Sequence, residues 1–355
     1  MISIQKHLES VTDDVDALLK DTVNDLWDEL NPTNADGSFA DRSLIKSVSK
    51  FRLKLNEPAY IALVGADVVA RQVEYLDHIA DIDNLKQIIT ALPSELDDVI
   101  ATANEILEPG DLFTIVDEKI HPDSFGLNLL SQVFKYSNYR GSNHCVNRYK
   151  KLGFNGATCP YCNETTMKIV PKEDEGKYSD LMLFDIDHFY SKGMFPYLAL
   201  SFYNHIPSCK ACNQTYKGTD EFAFTTHIHP YHRCFDTHYK FQLNHGVLMN
   251  EAPTTVKARK KSIFEERLLA DLQIEARYQG NLGHARVTRL VEILSSYSHI
   301  LRQGAENDAD RMRLKERLAD FGLISNHKQI LSQCYSKLQR DTIAMFDPNN
   351  TLELL

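Results

Sequence analysis

The chain has 355 residues, of which 43% are hydrophobic, enough for packed cores in two or three domains. Nothing near Met1 reads as a secretory leader, and no apolar run approaches the roughly 18 residues of a membrane span, so a cytoplasmic protein is expected. The net charge of −10 is uneven: residues 1–120 hold 10 Lys+Arg against 24 Asp+Glu, leaving 29 against 25 for residues 121–355. The acidic part is therefore not expected to condense onto phosphates, whereas the mildly basic remainder suits them.

Taken in chain order, Ile4, Leu8, Val11, Val15, Leu18, Val23, Leu26 and Leu30 recur at the spacing of one helix face, and Asn31-Pro32 stops the pattern. A second helical tract runs from about Ser43 to Leu107, with breaks expected at Pro58 and Pro93. Together they predict an acidic helical domain over residues 1–120, suited to docking a partner. An amphipathic helix is expected around Leu127 to Tyr136. Residues 121–255 then form a turn-rich middle dense in Cys, His, Asn and aromatics. From about Arg259 to Phe346 the helical spacing returns, giving a C-terminal helical domain over residues 256–355. The class is α+β, mostly α-helical.

Seven cysteines do not pair evenly, and four of them form two C-x-x-C turns, Cys159-Pro160-Tyr161-Cys162 and Cys209-Lys210-Ala211-Cys212. Two such turns complete a tetrahedral zinc shell with no open position, so the site is expected to be structural. Iron in the same four-thiolate shell is the alternative. Cys145, Cys234 and Cys334 stand alone and read as buried apolar side chains.

The 46 residues between the turns carry the chemistry. Leu183 to His188 and Ser201 to Pro207 read as two short antiparallel strands, and Lys210 to Lys217 as a helix stopped by Gly218. Asp187 and Asn213 offer a carboxylate and an amide oxygen, hard donors suited to magnesium or manganese. His188 is the expected general base, since an imidazole of pKa about 6.5 takes a proton from water at neutral pH. Lys192, in the loop after His188, is a residue that approaches phosphate or is simply solvated.

Asp187-His188, Asn204 and Cys209-x-x-Cys212-Asn213 followed by Lys217-Gly218 resemble the core of the HNH endonuclease family in its four-cysteine zinc form. The resemblance covers residues 159–218 and implies a ββα-metal core set between the two helical blocks. It implies Asp187 and Asn213 as ligands of a catalytic Mg2+ or Mn2+, His188 as the base, and Asn204 as the residue that orients loop and base. It also implies Cys159, Cys162, Cys209 and Cys212 as ligands of a structural Zn2+. One departure stands out: many members place a proline soon after the His, and here the nearest is Pro196. More distantly, Tyr197 to Asn204 beside such a core is similar to nuclease subunits of Septu-type bacterial anti-phage systems, which partner an ATPase. Double-stranded DNA is the expected substrate, with an ATPase partner on the helical blocks.

Downstream, His227, His229, His232 and His238 crowd a short stretch whose spacing matches no ligand set, and Arg233 among them is a possible phosphate contact. Lys257, Arg259, Lys260 and Lys261 read equally as a solvated helix start or a backbone contact to nucleic acid. Two rival readings remain: a non-catalytic zinc-braced module that binds nucleic acid or protein, and an electron-transfer protein with iron in the cysteine site.

Overall fold

A computed structural model describes residues 3–117, 119–174, 177–244, 255–279, 282–303, 308–324 and 326–354. Helices dominate, and the described strands form only two-stranded antiparallel sheets, so the fold is α+β. No helix is long and apolar enough to cross a membrane among the described residues.

The apolar stripe that begins at Ile4 splits into α1 (Ile4–Leu8) and α2 (Val15–Leu30), rather than running as one helix. The break has a local cause: the Asp14 side chain accepts the Ala17 N–H at 2.9 Å and starts α2 afresh. Ser43 caps α3 (Leu44–Leu55) in the same way. Pro58 opens α4 (Pro58–Val64), where its missing N–H costs nothing, and Pro93 lies between α6 (Ile82–Thr90) and α7 (Leu96–Ile106). Gly65, at φ 99°, turns α4 into α5 (Ala66–Ala80).

Several hairpins have no counterpart in the sequence reading. β1 (Phe113–Val116) pairs with β2 (Lys119–Pro122), and β3 (Ile169–Asp174) with β4 (Lys177–Met182). The helix expected around Leu127 to Tyr136 starts earlier, as a five-residue α-helix, Ser124–Asn128, that runs into a π-helical turn, Leu129–Val133. Two short helices, Tyr136–Arg140 and Asn143–Lys151, lead to the first cysteine turn.

β5 (Asp185–His188) and β6 (His205–Ser208) pair antiparallel with Asp187 opposite Ile206 and His188 opposite His205. β5 starts two residues later than the sequence suggested, and β6 starts later because Phe202–Asn204 coils as a 3-10 turn before it. A wide turn of π-helix, Ala211–Lys217, follows and ends at Gly218. Lys257, Arg259 and Lys260 lie on β8 (Val256–Lys260), paired with β7 (Tyr239–Leu243), and not at a helix start. The expected boundary near residue 255 adjoins residues 245–254, which are outside the described ones.

One buried core runs from Ile4 to Leu338 and includes apolar residues of the N-terminal helices and of the cysteine-rich middle. A second gathers Leu290, Leu294, Leu314, Leu318, Ile343 and Leu352 at the C-terminal helices. Asn163, directly after the first cysteine turn, joins the middle to the C-terminus. Its amide nitrogen donates to Thr158 Oγ1, Ile330 O and Gln333 O at 2.8, 3.2 and 3.0 Å, and its oxygen accepts from Lys337 N at 3.1 Å. Its φ of 52° is one that asparagine tolerates better than most residues. Asn163→Ala strands several buried groups and adds backbone strain, so it should cost about 2–4 kcal/mol. Urea unfolding should show the midpoint falling with the slope unchanged.

Candidate functional site

Cys159, Cys162, Cys209 and Cys212 are buried, and their sulfurs lie within 4.8 Å of one another. The Cys162–Cys209 separation of 3.8 Å matches a tetrahedron with Zn–S bonds of about 2.3 Å, whose edges are about 3.8 Å. Backbone N–H groups converge on the sulfurs: Cys209 N on Cys159 at 3.3 Å, Glu164 N on Cys162 at 3.4 Å, and Cys212 N on Cys209 at 3.4 Å. Arg277 adds a charged donor, Nη1 to Cys212 Sγ at 3.2 Å, and is itself held by Glu164 at 2.8 Å. Within the cluster, hydrogen bonds from the other three thiols hold Cys209 well below its ordinary pKa, whereas burial holds Cys159 well above it. The converging N–H and guanidinium donors suit thiolate charge, and the four residues fit a structural zinc ion. By contrast, burial pushes the lone Cys145 thiol up to about 11, which leaves it inert.

Asp187, His188 and Asn213 all line a single cavity of about 280 Å³, together with Lys192 and Lys217. β5 supplies the first two, and the π-helical turn supplies Asn213 and Lys217. A π-turn bonds i to i+5, as Gly218 N does to Asn213 O at 3.0 Å, and such turns recur at functional sites. Cys212 of the same turn is directed to the sulfur cluster, so one short element serves both sites.

His188 is buried, and its Nε2 lies 3.1 Å from the Ala199 carbonyl. A carbonyl accepts only, so Nε2 carries the proton and Nδ1 keeps a free lone pair. Burial, the neighbouring His205 and the charge of Lys192 hold His188 well below the usual histidine value, and it is neutral at neutral pH. The Tyr136 ring closes on it edge-on at 4.4 Å. His205, directly across the sheet, donates to the same Ala199 carbonyl at 2.8 Å, and burial pushes its pKa down to about 4.

Asn204 explains why the Ala199 carbonyl is there. Its Oδ1 accepts from Tyr190 N at 2.7 Å, and its Nδ2 donates to Tyr190 O and Leu198 O, each at 3.1 Å. These bonds clamp both ends of the loop that follows His188, and Ala199 is the next residue after Leu198. Asn204 is fully buried and positions the base without touching the cavity.

Asp187 is held by Lys217, whose Nζ lies 2.8 Å from each carboxylate oxygen and also donates to the Phe189 carbonyl at 3.1 Å and to His188 O. Tyr161, inside the first cysteine turn, donates to Asp187 Oδ2 at 2.7 Å. A carboxylate has about four lone-pair sites, so Oδ1 retains one. Asn213 Nδ2 is turned onto Asp185 at 3.0 Å, which leaves its amide oxygen as the ligand group. One carboxylate oxygen and one amide oxygen on this cavity are the hard donors that a magnesium-type ion takes, and the Lys217 ammonium, 2.8 Å from both Asp187 oxygens, competes for the same carboxylate.

Lys217, Tyr161, Asp185 and His205 were missed as site residues. Asp185 was within reach of a sequence reading, since it stands two residues before Asp187 on the same strand face. The other downstream residues do not join the site. His227 bonds Asp271 at 3.0 Å, His238 bonds Ser262 at 2.6 Å, and burial pushes His229 down to about 3. Among the described residues only the four cysteines form a metal-ligating group, and His232 belongs to none. Arg233 lies over the Phe264 ring at 3.8 Å and does not line the cavity. Lys257 and Lys260 pair with Glu275 and Glu265 at 3.7 and 3.2 Å, and Lys261 donates to Asp236 O at 2.9 Å.

In comparisons with known proteins, no family model, no curated protein and no solved structure matches the chain. The sulfur cluster predicts one zinc ion per chain by metal analysis of the purified protein. Cys209→Ser should lose that ion and unfold far below the parent temperature, since zinc bound by four thiolates contributes about 10–16 kcal/mol to folding.

Proposed function

We propose that the chain is a metal-dependent endonuclease of the HNH class that hydrolyses phosphodiester bonds, with double-stranded DNA as substrate. The observation that carries this reading is the cavity in which His188, proton fixed on Nε2 and lone pair free on Nδ1, stands beside Asp187 and Asn213. The strands β5 and β6 followed by the turn Ala211–Lys217 have the order of a ββα-metal core, and the cysteines brace that core as a structural zinc site.

In the reaction, His188 Nδ1 takes a proton from a water as its oxygen forms a bond to phosphorus and the ester P–O bond breaks. The imidazolium that results is stabilised through Nε2–H on the Ala199 carbonyl. Asn204 holds that carbonyl in place, and Lys192, at the rim of the cavity, offers the phosphate a positive charge. Asp187 and Asn213 would hold a divalent ion, whose chemistry is to neutralise charge on the phosphoryl group and leaving oxygen. Lys217 and Tyr161 fix the Asp187 carboxylate in place. Nothing in this set reads bases, so sequence preference falls to other parts of the chain or to a partner. In keeping with the Septu-type resemblance, we assign the chain to anti-phage defence in the bacterial cytoplasm, with an ATPase partner on the acidic N-terminal helices.

A second reading follows from Lys217: an ammonium already neutralises Asp187, as expected of a zinc-braced module that binds without cutting. One assay separates them. Purified protein, alone and with any protein that co-purifies, should nick or linearise supercoiled plasmid in magnesium or manganese. His188→Ala should be slower by about 10²–10⁴-fold, the ordinary contribution of a general base, with zinc content unchanged. Binding without cleavage by parent and variant alike would hand the chain to the second reading.

A further inference from the structure

The N-terminal helices are acidic in sum, but their cations are not scattered. α3 carries Lys46, Lys50, Arg52 and Lys54 and no carboxylate. Arg52 is spent on Asp77, with Nη2 to Oδ2 at 2.8 Å. Lys50 and Lys54, in contrast, line a groove of about 520 Å³ with Ser47, Ser131, Gln132 and Lys135, and no carboxylate lines it. Lys54 Nζ donates to Gln132 Oε1 at 2.7 Å, and Lys135 Nζ to Ser47 Oγ at 2.9 Å. Both partners are uncharged, so both positive charges stay uncompensated. Lys50 donates to the Asp41 backbone carbonyl at 3.0 Å, and the Asp41 carboxylate, 3.4 Å away, is 92% exposed, a pairing that water and salt weaken. Lys135 is placed by a left-handed backbone, φ 46°, where a residue other than glycine is uncommon.

The groove continues past Ser47 and Lys135 into a second cavity of about 240 Å³, to which Arg42 and His144 contribute. Glu29, on its wall, is neutralised by Arg148 at 2.7 Å. One helical turn, Leu129–Val133, separates the groove from the candidate active site. Within one π-helical turn, Leu130 lines the cavity of Asp187 and His188, whereas Ser131 and Gln132 line the groove.

We infer that this groove binds the sugar-phosphate backbone of a nucleic acid whose scissile phosphate sits in the neighbouring cavity; the choice of nucleic acid rests on the nuclease reading above. Lysines interleaved with serine hydroxyls and a glutamine amide are the donors that phosphate oxygens take. Leu53, 68% exposed on the same wall, offers apolar surface to sugars. The proposed phosphate-binding surface thus lies within the part of the chain whose summed charge is acidic.

The test is duplex binding by fluorescence anisotropy across a potassium chloride series, using full-length His188→Ala without added magnesium or manganese to suppress cutting. Adding K50Q, K54Q and K135Q should weaken binding by about 10-fold or more near 0.1 M salt. It should also lower the slope of log affinity against log salt by about 2 to 3, close to one counterion per lost phosphate contact. The exposed pair K50E/K54E, which leaves the Lys135–Ser47 contact intact, should show the same trend with an unchanged thermal midpoint. Affinity and slope equal to the parent in both variants would overturn the groove assignment. So would variants that lose binding of poly-glutamate but not of duplex, which would make the groove a dock for an acidic protein. If the groove variants bind duplex normally while protein with native His188 still cleaves, only this inference fails. If the parent neither binds nor cleaves, the nuclease reading fails with it.

Discussion

The structure depends on one constraint: four cysteine thiols, two on each of two tight turns separated by 46 residues, meet within 4.8 Å. A structural zinc ion in such a shell is worth about 10–16 kcal/mol, as much as the whole net stability of an ordinary domain, about 5–15 kcal/mol. Closing the two turns on one another brings β5 and β6 together and places Asn213, one residue beyond Cys212, against Asp185 at the start of β5. Tyr161 lies within the first turn and reaches Asp187 at 2.7 Å, so the cysteine cluster and the candidate catalytic carboxylate share a wall. On the other side, Tyr278 donates to the Cys162 carbonyl and Asn163 fastens the segment from Ile330 to Lys337. The cluster thus ties the C-terminal part of the chain to the middle as well.

Within that frame the orientation of His188 is over-determined. The Ala199 carbonyl takes both His188 and His205, Asn204 clamps the loop that carries it, and the Tyr136 ring blocks rotation. These groups are buried, where an unmade hydrogen bond costs about 1–3 kcal/mol, so alternatives are penalised at several points together. Lys217 performs the corresponding task for Asp187. Its ammonium is buried and has Asp187 as its charge partner, and two backbone carbonyls complete its hydrogen bonding. A buried pair of this kind is costly to break by removing one member.

Much of the site was legible because its chemistry is carried by residue type at short spacing. The C-x-x-C turns, Asp187-His188 and the Asn after Cys212 are patterns of that sort, as are the caps and prolines that divide the N-terminal helices. What escaped notice was of three kinds. A backbone carbonyl such as that of Ala199 leaves no mark of residue type. Long-range pairs such as Lys217 with Asp187, 30 residues apart, depend on the closed fold. Hairpins such as β1–β2, with Ile115 and Val116 exposed, lack the one-sided burial that makes alternation readable. The cations of α3 were hidden differently, by summing charge over 120 residues when the relevant surface is one helix and the turn packed against it.

The most direct test of this account is the protonation state of His188, read from long-range proton–nitrogen correlations of its imidazole at neutral pH. The account predicts a neutral ring with the proton on Nε2 and a bare Nδ1, a pattern that Asn204→Ala should disturb. A proton on Nδ1, or a charged ring, would contradict it, because His188 would then have no lone pair to offer a water in the cavity.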